Sequence, residues 1–233
     1  MSVVDALHGP VQQPANGPAT AAVVLLHGYG SDGNDLIGLA PYFANALPRA
    51  VFYAPDGPHA LEGSPFGGRQ WFSLRNFDPE VLRDDMKMRA KFFESMAGEI
   101  DGVAATLNTF LDQILAHHGL AANRLVLLGF SQGTMMSLHV GLRRKQQLGG
   151  IVGYSGELLV PERLAAEIKS KPPVVLIHGA DDPMIPAVKS QDSAAALTAI
   201  GVSCQTHIIP GLQHGIDGTG AQFGAEFMQR VIG

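Results

Sequence analysis

The chain has 233 residues, 46% of them hydrophobic and 16% charged, which supports one large buried core, and we predict a single domain over residues 1–233. The formal net charge of −5 at pH 7 argues against a nucleic-acid partner, because a phosphate backbone requires clustered Lys and Arg. The lone Cys204 excludes an intrachain disulfide, and no stretch resembles a signal peptide or a membrane span, so we predict a cytoplasmic location without stable membrane insertion.

Strands and helices are predicted to alternate after a loose segment over about residues 1–20. Short apolar runs, of the kind that parallel sheets bury, predict strands at residues 21–26, 51–54, 125–128, 151–155, 173–178 and 204–209. Apolar periodicity and capping residues predict helices at about residues 32–46, 79–89, 93–117, 132–145, 161–169 and 187–200, and a last helix near residue 231. This alternation predicts an α/β fold with a mainly parallel central sheet and helices on both faces.

A long connection rich in Gly, Pro and aromatic residues follows the second predicted strand. We predict that residues 59–93 form a cover loop and insert over an active site, because long loops in compact domains are often functional. Trp71 is predicted to form a wall on the substrate side, and an aromatic anchor in the core is the alternative role. Substrate contacts are therefore expected from this part of the chain.

The third predicted strand ends in Gly129-Phe130-Ser131-Gln132-Gly133 and runs into a predicted helix. A Gly-x-Ser-x-Gly turn holds its serine hydroxyl exposed in strained backbone geometry, and its glycines let the strand and the helix approach closely. The bare pattern is weak evidence in a chain with 28 glycines. Its place between an apolar run and a helix favours a nucleophile over an ordinary turn serine.

An acidic residue and a histidine follow later strands, at Asp182 and His214. The loops at the carboxyl ends of parallel strands gather in one crevice, so these side chains are expected near Ser131. The chain order Ser, Asp, His is that of the triad of α/β hydrolases, and we predict that these three residues are catalytic. Asp182 is favoured over Asp181 because the ring of Pro183 stiffens the loop behind it.

Six other histidines are predicted to have structural roles. Packing or hydrogen bonding is expected for His27, His139, His178 and His207. The adjacent His117 and His118 end a predicted helix, where positive charge suits the helix dipole and neighbouring side chains diverge. We therefore predict no metal site and no cofactor.

Four motifs that follow predicted strands carry a family resemblance. They are His-Gly-Tyr-Gly at residues 27–30, Gly-Phe-Ser-Gln-Gly at 129–133, His-Gly-x-x-Asp-Pro-x-Ile-Pro at 178–186 and Gly-x-x-His at 211–214. Together they resemble the phospholipase/carboxylesterase family of α/β hydrolases, which includes the acyl-protein thioesterases. The resemblance covers about residue 20 to the C-terminus and implies the α/β-hydrolase fold.

The same resemblance implies roles for individual residues. By it, Ser131, Asp182 and His214 are the triad, and the backbone N–H groups of Tyr29 and Gln132 form the oxyanion hole. The pair Trp71-Phe72 matches a Trp-Phe pair in the cover loop of the family. The charged segment over residues 79–93 departs from the family pattern, and this departure bears on the substrate more than on the chemistry.

These observations predict a serine carboxylesterase that hydrolyses esters with short-to-medium acyl chains through an acyl-enzyme intermediate. The predicted apolar substrate walls are Trp71, Phe72, Met184, Leu212 and Ile216. An acyl-protein thioesterase or a lysophospholipase is the main alternative, and a peptidase is less favoured because no additional recognition domain is present. A non-catalytic ligand-binding homologue is the alternative from a different class, and the intact triad argues against it. A small-molecule ester or thioester is the expected partner, and a homodimer is compatible with the sequence.

Overall fold

The computed structural model describes residues 4–64, 67–75 and 86–233. Its strands are β1 (Val11–Gln12), β2 (Ala21–Leu26), β3 (Ala50–Tyr53), β4 (His59–Ala60), β5 (Arg69–Gln70), β6 (Leu125–Phe130), β7 (Gly150–Tyr154), β8 (Val174–Gly179) and β9 (Cys204–Ile209). Within these described ranges, seven strands form one sheet in the order β1-β3-β2-β6-β7-β8-β9, and β4 pairs with β5 in a separate hairpin. The β1–β3 pair is antiparallel, and the other pairs of the large sheet are parallel.

Helices connect the parallel strands. They are α1 (Gly33–Ile37), α2 (Ala40–Ala46), α3 (Met86–Ser95), α4 (Ala97–His118), α5 (Gln132–Arg143), α6 (Pro161–Glu167), α7 (Val188–Ala199) and α8 (Gly218–Ile232). This arrangement confirms the predicted α/β fold with a mainly parallel sheet. In the part of the chain that the structure describes, no helix combines the length and the hydropathy needed to cross a membrane.

The central strands are buried on both faces, which explains their unbroken apolar sequences. Side chains alternate between the two faces of a strand, so neighbouring residues of β2 enter different cores. Val24 packs in a cluster with Leu107 of α4, whereas Val23 packs in a second cluster with Phe43 of α2 and Met228 of α8. The sheet therefore lies between two layers of helices. The loops at its carboxyl edge extend from strands that are packed on both faces.

Two predicted boundaries differ from the structure for local reasons. The helix expected over residues 32–46 is two helices, because Gly38 ends α1 and Pro41, in the first turn of α2, lacks the N–H that a continuous helix would need. The N-terminal segment expected to be loose includes β1, whose two residues pair with β3 at the sheet edge. A two-residue strand is too short to leave a periodic pattern in the sequence.

The two helices predicted over residues 79–89 and 93–117 also have different bounds. Residues 79–85 lie outside the described residues, and residues 86–95 form α3. The long helix α4 begins at Ala97 and ends at His118, where Gly119 adopts the left-handed conformation that closes helices. His118 meets the Tyr53 hydroxyl at 2.8 Å through its Nε2 atom, so it has a structural contact at the end of this helix.

His139 on α5 gives the fold a dependence on pH. The side chain is buried, and burial lowers its pKa to about 4, although Asp101 lies 3.0 Å from its Nε2 atom and acts in the opposite direction. The unfolded chain therefore binds a proton at this residue near pH 6.5, before the folded chain does. The free energy of unfolding should fall as the pH is lowered from about 6.5 to 4, by at most about 3 kcal/mol from this residue.

Urea unfolding at pH 7 and at pH 4.5 checks this expectation. His139→Gln keeps a polar side chain without a titrating group, so the variant should lose less stability between the two pH values than the wild type. An equal loss in both proteins would contradict the assignment to His139.

Candidate active site

Ser131 lies at the sharp turn between β6 and α5 at the carboxyl edge of the sheet. Its φ of 53° and ψ of −116° are strained values for a residue with a side chain, and such strain costs on the order of 1–3 kcal/mol. The flanking glycines are required by contact: a Cβ atom at Gly133 would lie 1.8 Å from the Leu26 carbonyl oxygen, and one at Gly129 would lie 2.3 Å from Gly133. The Ser131 N–H donates to the Tyr154 carbonyl at 2.9 Å, which fixes the turn against β7.

Asp182 and His214 meet at the same edge of the sheet. The Asp182 side chain is fully buried, and its Oδ2 atom lies 2.7 Å from Nδ1 of His214. Its Oδ1 atom accepts backbone N–H groups from Met184 at 2.8 Å and Ile185 at 2.9 Å. Burial opposes ionisation, but hydrogen bonds from His178, His214 and Ile185 outweigh it and hold the pKa of Asp182 well below its usual range. The carboxylate is therefore ionised and aimed at the imidazole.

A second histidine also contacts Asp182, which sequence reasoning did not foresee. His178 is fully buried at the end of β8, and its Nε2 atom lies 3.1 Å from Oδ2 of Asp182 and 2.8 Å from the Ile185 carbonyl oxygen. Both partners only accept hydrogen bonds, so Nε2 carries a hydrogen. Its Nδ1 atom lies 2.6 Å from Oγ of Ser190, which also reaches the Gly156 carbonyl. His178 thus positions the acid, and its only hint in the sequence is its place four residues before Asp182.

Ser131 and His214 line one pocket of about 320 Å³. The apolar side chains in its wall are Leu74, Phe93, Phe130, Met135, Met184 and Ile185. The Phe130 ring lies against the His214 ring, with 4.9 Å between their centroids. A hydroxyl, an imidazole and an apolar cavity therefore meet at one place.

The loop after β2 approaches the serine from the other side. A Cβ atom at Gly28 would lie 3.5 Å from Cβ of Ser131, so the backbone that leads into Tyr29 runs beside Ser131. His27 fixes this loop, because its Nε2 accepts the Gly57 N–H at 2.8 Å while its Nδ1 donates to the Gly28 carbonyl at 2.8 Å. Burial lowers the pKa of His27, which agrees with a neutral ring in this arrangement.

Gln132 lies next to Ser131 at the start of α5, and its side chain forms hydrogen bonds with a distant segment of the chain. It is the first residue of α5, and the leading N–H groups of a helix have no carbonyl partner within that helix. Its side-chain Oε1 accepts the Trp71 N–H at 2.9 Å, and its Nε2 donates to the Phe72 carbonyl at 2.7 Å. The residue after the serine therefore connects the segment that contains Trp71 and Phe72 to the turn.

The five residues predicted to form the substrate walls lie in different environments. Met184 is exposed and lines the pocket with Ser131. Trp71 and Phe72 are fully buried in the core beside β2, and the Trp71 indole donates to the His27 carbonyl at 2.9 Å. Leu212 and Ile216 pack against the cluster on the other side of the sheet. Among the described residues, Trp71, Phe72, Leu212 and Ile216 do not line the pocket that Ser131 and His214 share.

The arrangement suits acyl transfer. An ionised acid holds one nitrogen of an imidazole, a strained turn presents a hydroxyl to the same pocket, and two backbone segments approach that hydroxyl. This fold and this combination of groups define an α/β hydrolase.

Comparison with known proteins gives the family. A model described as phospholipase/carboxylesterase matches residues 8–232, and the chain belongs to this family. The crystal structure of esterase PE8 is 38% identical, covers 97% of this chain and 99% of its own, and superimposes with a TM-score of 0.86. Esterase YpfH of Escherichia coli is 27% identical over 97% of this chain and 88% of its own length. Acyl-protein thioesterase 1 of Gibberella zeae is 28% identical over 88% of each chain.

Proposed function

We propose that this protein is a serine carboxylesterase that hydrolyses carboxylic esters with short-to-medium acyl chains. The observation that carries the proposal is the Asp182–His214 contact at 2.7 Å, in a site where His214 and Ser131 line the same apolar pocket. Membership of the phospholipase/carboxylesterase family and the likeness to esterase PE8 support it.

Acylation begins at the Ser131 hydroxyl. His214 takes the hydroxyl proton on Nε2 as the oxygen attacks the acyl carbonyl, and Asp182 holds the imidazole in the required tautomer and stabilises the imidazolium. His214 then returns the proton to the departing alcohol oxygen as its bond to the acyl carbon breaks. The product of this half-reaction is an ester between the acyl group and Ser131.

Water completes the cycle by the reverse of these steps. His214 takes a proton from the water as it attacks the acyl carbon, and the Ser131 oxygen leaves and recovers a proton. The negative oxygen that forms in each half-reaction is held by the N–H groups of Tyr29 and Gln132, and each such donor contributes on the order of 3 kcal/mol. Because these donors belong to the backbone, they persist through most side-chain substitutions.

The substrate class follows from the pocket. Its wall is mostly apolar, and its volume of about 320 Å³ suits a modest acyl group. Hydrolysis should therefore be fastest for uncharged acyl groups of short to medium length. We propose a small-molecule ester as the substrate and place the reaction in the cytoplasm.

A second function is favoured by the relatives. Several of the similar curated proteins are named acyl-protein thioesterase 1, so thioesterase or lysophospholipase activity is the alternative within the same chemistry. The two candidates use the same triad and differ in the acyl group and the leaving group.

A matched series of oxygen esters and thioesters, each from acetyl to palmitoyl, tests the proposal. Peak kcat/KM at short or medium oxygen esters is the expected result. A peak at palmitoyl thioesters would transfer the assignment to the thioesterase, and turnover of neither series would overturn both.

A further inference from the structure

The acyl pocket shares two walls with a second pocket of about 260 Å³. Arg89 and Phe93 of α3 line both cavities, and Glu157 lines the second one. Leu158, Val160 and Pro161 give the second pocket apolar walls as well. The side chains between the two cavities therefore decide whether they are separate or continuous.

An ion pair stands at this boundary. Arg89 binds Glu157 through two hydrogen bonds, with Nε donating to Oε2 at 3.0 Å and a second guanidinium nitrogen donating to Oε1. The two side chains are only 5% and 9% exposed, and the Arg89 guanidinium lies 5.5 Å from the centre of the Phe93 ring. Buried charges that satisfy each other are strongly held, because separating them leaves an uncompensated charge away from water.

The Arg89–Glu157 pair also connects the predicted cover segment to the region of the turn at Ser131. Arg89 belongs to α3, whereas Glu157 follows β7 and the adjacent Gly156, where a Cβ atom would lie 2.8 Å from the Ser131 carbonyl oxygen. The boundary is thus anchored on the same backbone that supports the nucleophile.

We infer that the Arg89–Glu157 pair, together with Phe93, is a partition that sets the maximum length of the acyl chain. The inference rests on the proposed esterase function and names a specificity determinant within it. An acyl chain extends from Ser131 along the apolar wall until it meets the partition, and further methylenes have no space. Selectivity in apolar pockets changes by about 10- to 200-fold for each methylene, so a closed end gives a steep limit.

The test removes both members of the ion pair together, so that neither remains without the other. Arg89→Ala with Glu157→Ala joins the two cavities, and Phe93→Ala widens the same boundary while the ion pair is kept. The matched control is Arg89→Met with Glu157→Leu, which removes both charges but fills a similar volume. Each protein is assayed with oxygen esters from butyryl to dodecanoyl, and the active fraction is counted with a fluorophosphonate.

The expected result is a change in the chain-length profile. The ratio of kcat/KM for decanoyl to butyryl esters should rise about 10-fold or more in the double Ala variant and in Phe93→Ala, and stay near the wild-type value in the Met/Leu control. Unchanged ratios in both opening variants, or an equal rise in the control, would overturn the partition while leaving the esterase assignment intact. Absence of ester hydrolysis in the wild type would instead overturn the proposed function.

Discussion

Ser131→Ala should abolish ester hydrolysis, with a loss in kcat of roughly 10⁴- to 10⁶-fold, because the variant has no oxygen to form the acyl-enzyme. The fold should remain, since Ala adds no atoms to the turn and the Ser131 N–H still donates to the Tyr154 carbonyl. Hydrolysis of the best ester substrate and labelling by a fluorophosphonate, which requires an activated serine, are the two measurements.

Ser137→Ala is the matched control for this experiment. Ser137 lies in α5, the helix that follows Ser131, and is fully buried, and its hydroxyl donates to the Gly133 carbonyl within that helix. The control should label and turn over like the wild type. Equal labelling of Ser131→Ala would rule out Ser131 as the nucleophile, and a wild type that fails to label would favour a non-catalytic ligand-binding protein.

The second large effect is expected for Asp182→Asn, with a loss in kcat of about 10⁴-fold near neutral pH. An amide in place of the carboxylate can donate a hydrogen bond to Nδ1 of His214, which leaves the proton on Nε2 and prevents that atom from accepting one from Ser131. The variant also loses the negative charge that stabilises the imidazolium. The assay is kcat across pH 5 to 9 at saturating ester.

Asp181→Asn in the same loop provides the control. Asp181 is exposed, and its backbone N–H donates to the Leu212 carbonyl, a bond that the substitution keeps. This variant should keep kcat within about 2-fold of the wild type, because a surface substitution away from bonded groups has little effect. A large loss at Asp181 with little loss at Asp182 would reverse the assignment of the acid.

The sequence could predict the groups whose positions are decided locally. A Gly-x-Ser-x-Gly turn places Ser131 through the small size of its glycines, and a strand followed by a loop places Asp182 at the sheet edge. The predicted parallel sheet follows from apolar runs that only a doubly covered strand can bury. Such features require no knowledge of which distant residues will meet.

The remaining features depend on contacts between segments that are far apart in the chain. The Arg89–Glu157 pair joins residues 68 positions apart, and the Gln132 side chain reaches Trp71 across 61 positions. Trp71 illustrates the difficulty: the sequence predicts that its ring faces substrate, but its indole N–H has a buried acceptor in the His27 carbonyl. An aromatic residue in a loop gives no indication of which partner satisfies its polar atom.

The hydrogen bonds of the Gln132 side chain divide the described part of the predicted cover segment into two parts that differ in how freely their sequences can change. Trp71 and Phe72 are bound to Gln132, the first residue of α5, so substitutions there would disturb the turn at Ser131. Leu74, Arg89 and Phe93 lie beyond this attachment and line the pocket, and Arg89 reaches the turn indirectly, through Glu157. We therefore expect that substitutions at Leu74, Arg89 and Phe93 can change the preferred acyl group. The geometry of Ser131, Asp182 and His214 should stay the same in such variants.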